Sequence, residues 1–105
     1  VALIVAYVSD LMLASRVAEP LRSAGHEVVL TKFPARADEA DVLICDLDEV
    51  DAIEVADLAR PTLGFYSHID VETGRAAREA GLEIVVPRSR MAREILELVD
   101  RLSGE

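Results

Sequence analysis

The segment "ALIVAYVSDLMLASRVAEPLRSAG", residues 2–25, changes its period partway along, and that change decides the fold. Residues 2–8 are an unbroken apolar run rich in β-branched side chains. A short run of this kind, without polar alternation, reads as a strand covered on both faces. From residue 9 onward Leu13, Val17, Leu21 and Ala24 follow helical spacing. Ser9 or Asp10 is placed to cap the start, and Gly25 suits the end. Pro20 removes one intrahelical donor, which predicts a kink. A strand buried on both faces, followed by an amphipathic helix, is the opening unit of a parallel sheet, because parallel neighbours require a crossover.

The unit repeats. "HEVVLTK" (26–32), "DVLICDL" (41–47), "TLGFYS" (62–67) and "LEIVVP" (82–87) read as four further strands. Between them, 33–40 is too short for more than one helical turn, and 48–61 carries a short helix that stops before Pro61. Residues 70–81 form a helix with Asp70 as cap and Gly81 as stop, weakened in the middle by Gly74. Residues 89–105 form the last helix, with Met91, Ile95, Leu98, Val99 and Leu102 on one face. The expectation is a single α/β domain, 1–105, of flavodoxin-like three-layer architecture. It has a five-stranded parallel sheet of order 2-1-3-4-5 and reduced second and third helices.

Composition narrows the function. The chain has 105 residues, 51% hydrophobic but only 4% aromatic, so the core must be aliphatic. Its net charge of −9 argues against a nucleic-acid surface, which needs clustered cations to displace counterions, and against anionic membranes. The lone cysteine, Cys45, excludes an internal disulfide, and a reducing cytoplasm is the expected compartment. "VALIVAYV" lacks the basic flank and the small-residue cleavage site of a signal peptide.

In doubly wound sheets the crevice outside the carboxyl ends of the strands is the usual site. Here those ends carry Ser9 and Asp10, then Asp46 and Asp48, then Ser67, His68 and Asp70, then Arg88, Ser89 and Arg90. The first strand–helix loop has no glycine, which excludes a dinucleotide-type phosphate site. Too few His and Cys are present for zinc. Ser67 and His68 are adjacent, so on a strand they face opposite ways, which disfavours a hydrolytic triad. Arg88 and Arg90 flank a helix start, where the macrodipole disfavours cations. They therefore need carboxylates or an anionic ligand nearby. Asp46 is a reactive carboxylate, a structural one paired with Arg88 or Arg90, or simply a solvated one.

The strand–helix order, "VLICDLD" at 42–48, Ser67 at the fourth strand tip and "AREAGLEIVVPRS" at 77–89 resemble the receiver domain of bacterial two-component response regulators. The resemblance covers nearly the whole chain. It implies that Asp46 occupies the phosphoacceptor position and Ser67 the hydroxyl position. Other positions depart from the family pattern. The acidic pair falls on Val8 and Ser9, with Asp10 one step further on, and the lysine position holds Pro87, followed by Arg88. The expectation is therefore a degenerate, non-enzymatic receiver-like signalling or interaction module with a protein partner. No cofactor is expected, and Mg²⁺ would enter only if Asp46 is a phosphoacceptor. The alternatives are an atypical phosphoacceptor using Asp46 with Asp10, and a small anion-binding domain or enzyme at the rim of Asp10, Asp48, Ser67, His68, Arg88 and Arg90. The resemblance also implies weak homodimerisation through the last two helices and the strand between them. There Arg75, Arg78, Glu79, Arg93, Glu94, Glu97 and Asp100 offer mixed charges to a second copy.

Overall fold

The computed structural model describes residues 2–67 and 71–104. Five strands, β1 (Leu3–Tyr7), β2 (Glu27–Leu30), β3 (Val42–Asp46), β4 (Thr62–Tyr66) and β5 (Ile84–Pro87), pair in parallel in the order β2-β1-β3-β4-β5. Four helices connect or follow them: α1 (Leu11–Ser23), α2 (Ala52–Ala56), α3 (Val71–Ala80) and α4 (Arg88–Ser103). A 3₁₀ turn at Ala37–Glu39 stands between β2 and β3. This is the expected flavodoxin-like arrangement, with the 33–40 connection cut to one turn and the helix of 48–61 cut to five residues. Asp51 caps that short helix by accepting from the Ile53 and Glu54 amides (2.8 and 3.3 Å).

The apolar runs are explained by two cores, one on each face of the sheet. Ile4, Ala6, Ile44, Leu63, Phe65 and Val86 pack with Val17 and Leu21 of α1 and with Met91, Ile95 and Leu98 of α4. Val5, Tyr7, Leu43, Cys45 and Val85 face the other way, toward Val55 of α2 and Ala77 of α3. Each strand thus buries successive side chains on opposite faces. Register places Val5 between Val29 and Leu43, and Gly64 between Cys45 and Val85.

Three details differ from the sequence-based expectation or sharpen it. First, α1 passes through Pro20 as one helix, and the Ala24 amide still reaches the Pro20 carbonyl (3.1 Å). The buried face of Val17, Ala18 and Leu21 holds the helix on the sheet across the missing donor. The departure from helical dihedrals falls instead in α4, at Glu94 (φ −118°, ψ 23°). Second, Gly74 is there for space. A Cβ on it would lie 2.8 Å from Cε1 and Cζ of Tyr66, so the tyrosine ring occupies what a side chain would fill. Third, the amino ends of the strands are closed by side chains. Ala2 N–H donates to His26 Nδ1 (3.1 Å), Leu3 N–H to Asp41 Oδ2 (2.8 Å) and Thr62 N–H to Glu83 Oε1 (3.0 Å). His26 is therefore a structural acceptor at the edge opposite the candidate site. Buried backbone donors need such partners, because an unmet one costs roughly 1–3 kcal/mol.

Candidate functional site

The loops after β1, β3 and β4 and the start of α4 gather Ser9, Asp10, Asp46, Asp48, Glu49, Ser67 and Arg88 at one end of the sheet. Asp46 closes β3 and is 2% exposed. Its Oδ1 accepts the Asp48 N–H (3.0 Å), a bond that folds the chain into the turn after the strand. Its Oδ2 faces Nη2 of Arg88 at 3.7 Å, an ion pair too long for a good hydrogen bond. Burial pushes the Asp46 carboxyl above its ordinary range. The Asp48 N–H opposes that shift, Glu49 and Asp48 add to it, and the Arg88 charge also opposes it. The long contact and the half-exposed guanidinium explain why Arg88 does not cancel the cost of burial.

The other rim residues are also engaged. Asp10 is the N-cap of α1, its Oδ1 accepting the Leu13 N–H (3.1 Å). The Ser9 hydroxyl donates to Glu49 Oε2 and so ties the loop after β1 to the loop after β3. Asp48 Oδ2 accepts the Ser67 N–H (3.2 Å). Arg90 turns along its own helix to Glu94 (3.2 Å). His68 and Asp70 lie outside the described residues. Cys45, one residue before Asp46, is fully buried, and burial together with the Asp46 charge pushes its thiol up to about 12. It is a core side chain, not a reactive thiolate.

Two further residues join this group: Arg16, which the sequence did not single out, and Ser89, which it placed at the fifth strand end without a role. Arg16 and Ser89 line a cavity of about 520 Å³ with Leu13, Asp48, Ser67, Arg88 and Ala92. The signal for Arg16 was present: Asp10, Leu13 and Arg16 are three apart and descend one side of α1. Nothing local links that side of α1 to the start of α4.

Mg²⁺, which the resemblance implies for a phosphoacceptor, fits these residues poorly. It requires near-octahedral oxygen ligands. Here Asp10 is spent on a helix cap, and Asp46 is held between an amide and a guanidinium. Among the described residues no three His, Cys, Asp or Glu side chains converge to hold a metal ion.

No protein-family model and no curated protein matches the chain. Solved structures do match. It is similar to a Francisella response regulator receiver domain (TM-score 0.81, 13% identity, covering 99% of this chain and 98% of that one). It is similar to a Clostridium thermocellum response regulator receiver domain (0.83, 14%, covering 99% and 95%). A response regulator receiver protein from Burkholderia phymatum also aligns (0.76, 19%, covering 97% and 94%). At these identities it is the backbone that agrees, from end to end of the chain. In fold, the chain is a receiver-like domain.

Proposed function

We propose that the chain is a receiver-like signalling and interaction module whose output does not run through ordinary Mg²⁺-dependent aspartyl phosphorylation. The observation that carries this is the state of Asp46. A phosphoacceptor carboxylate must present an oxygen to the phosphodonor and share the site with a metal that offsets the charge on the transferring oxygens. Both Asp46 oxygens are instead engaged, one by the Asp48 amide and the other facing Arg88, in a residue almost without exposure. The position that the family gives to lysine is Pro87, which offers no cation.

A protein partner fits the surface around the rim. Leu11 (85% exposed) and Met12 (75%) stand in the first turn of α1, Ile53 in that of α2 and Val71 in that of α3, while Leu30 ends β2. Each helix start lies at the carboxyl end of a strand, so these apolar side chains surround the polar centre. Exposed apolar side chains ringing a polar centre suit a docking surface. No helix among the described residues is long and apolar enough to cross a membrane.

Incubation of the chain with a small phosphodonor and Mg²⁺ should leave its mass unchanged. A gain of one phosphoryl group, abolished by Asp46→Ala, would defeat the proposal.

Self-association belongs to the same reading, in weakened form. On α3, Arg75 is held by Glu72 (2.6 Å) and Glu79 (3.0 Å), and on α4 Arg90 and Arg93 share Glu94. Charges paired within a helix have less to give a second copy. The expected dimer through α3, β5 and α4 is therefore weak, and it dissociates as salt rises. Sedimentation that finds only monomer at high protein concentration and low salt would remove it.

A further inference from the structure

Most arginines of this chain are occupied. Arg36, Arg75 and Arg90 hold nearby glutamates, and Arg22, Arg60 and Arg78 donate to backbone carbonyls. Among the described residues three guanidiniums are not: Arg101, exposed near the end of α4, and two that neighbour each other, Arg16 and Arg88. Among the described residues Arg16 has no hydrogen bond or ion pair, and Arg88 has only the 3.7 Å approach to Asp46. In a chain with 20 carboxylates for 11 basic side chains, two under-paired arginines side by side call for a reason. They line the same cavity of about 520 Å³, and they also share a hollow of about 230 Å³ with Asp10.

The cavity is built from separate parts of the fold. Arg16 comes from α1, Ser67 from the end of β4, and Arg88 and Ser89 from the first turn of α4. Buried Leu13 and half-buried Ala92 complete the lining. Pro87, the N-cap residue of α4, has no side-chain acceptor for the first amides of that helix. Guanidinium forks match the geometry of oxyanions, and two forks from different elements suit a doubly charged one. The hydroxyls of Ser67 and Ser89 add donors. Asp48 also lines the cavity, with Oδ2 turned to the Ser67 amide. Asp10 and Asp46 stand beyond the arginines. These three carboxylates oppose any anion, and a doubly charged one the more, so preference for a phosphate over a carboxylate rests on the two guanidinium forks, which gain more from the higher charge and from its additional oxygens.

We propose that this cavity binds a small phosphate-bearing anion, either free phosphate or a phosphomonoester, without any covalent bond to the chain. The site does not depend on the fate of Asp46, which makes it separable from the interaction-module proposal. The test is titration of the whole chain at constant ionic strength with inorganic phosphate, glycerol phosphate and acetate, followed by backbone amide NMR. Saturable shifts at Arg16, Ser67 and Ser89 are expected with the two phosphates, and whichever binds more tightly names the source. Arg16→Gln and Arg88→Gln should each weaken binding about tenfold, the loss of one charge-assisted contact. Arg75→Gln, on α3 at the other face of the sheet, should not. Asp46→Asn should bind at least as tightly as the parent, because it frees Arg88 and cannot be phosphorylated on that residue. Shifts that never saturate would overturn the site. So would affinity indifferent to both arginine changes, or acetate binding as tightly as phosphate. Amide spectra of each variant in buffer alone separate lost binding from lost fold.

Discussion

Phe65→Ala is expected to cost about 3–5 kcal/mol, the range for removing a fully buried phenylalanine. Phe65 has no exposed surface and lies at the centre of the core that joins the sheet to α1 and α4. Its neighbours across the sheet are Asp46 on β3 and Val86 on β5. Deleting the ring opens a cavity directly beneath the candidate site. The surrounding side chains, chiefly aliphatic and rooted in rigid strands, can close it only in part. Domains of this size have roughly 5–15 kcal/mol of stability in all, so the variant should stand near the edge of folding. Thermal unfolding should drop by roughly 15–30 °C, taking several degrees per kcal/mol for such a domain. Ile53→Ala, at a residue 65% exposed, is the control and should stay within about 0.5 kcal/mol of the parent. A loss below 1 kcal/mol for Phe65→Ala would mean that α4 is not seated on β4 as described.

Asp46→Asn is expected to stabilise the chain at neutral pH, on the order of 1 kcal/mol, as when a poorly paired buried charge gives way to a neutral group of the same shape. The amide keeps an oxygen to accept the Asp48 N–H. It also places a donor among Asp48 and Glu49, whose charges disfavour the ionised carboxylate. The pH dependence follows from the direction of the shift. Burial raises the Asp46 carboxyl in the fold above its unfolded value of 3.8, so the fold prefers the neutral acid. The stability that this group contributes is full below 3.8 and is lost as pH rises through the folded value. The advantage of asparagine should therefore be largest at pH 7 and vanish below pH 3.8. Urea unfolding of both proteins across that range measures it. An asparagine variant less stable than the parent at pH 7 would show that the Arg88 ion pair outweighs burial, and the structural account of this carboxylate would have to be reversed.

The period change at residue 9 was enough to announce the architecture, because strand and helix patterning are local properties that one face of burial imposes on the sequence. The same holds for the shortened connections, since eight residues between 33 and 40 leave no room for a full helix. What could not be read locally was pairing across space. Asp10 looked equally like a cap and like half of a displaced acidic pair, and only the distance from its Oδ1 to the Leu13 amide separates the two roles. Arg88 and Arg90 looked interchangeable as partners of Asp46. The helical phase of α4 sends one toward Asp46 and the other to Glu94. Arg16 resembled any solvated helix residue until the start of α4 was placed against it. Gly74 read as a weakness, because propensity counts the cost of a missing side chain and cannot see the ring of Tyr66 that fills its place.

That ring has an optical consequence. The chain has no tryptophan and two tyrosines, so its intrinsic emission arises from Tyr7 and Tyr66. They are the last residues of β1 and β4, on the same face of the sheet, just beneath the rim. Tyr66 rests on the bare backbone of α3 at Gly74. Tyr7 donates its hydroxyl to the Ala35 carbonyl (3.0 Å) and meets Phe33 edge-on, with ring centres 5.2 Å apart. Burial holds its phenol neutral up to about 12, so it emits as the uncharged species at any physiological pH. A partner or ligand that displaces α3 or the segment after β2 must change the surroundings of one of these rings. The rim of this domain thus carries its own chromophores, both on the face covered by α2 and α3, and no label has to be attached to watch that face respond.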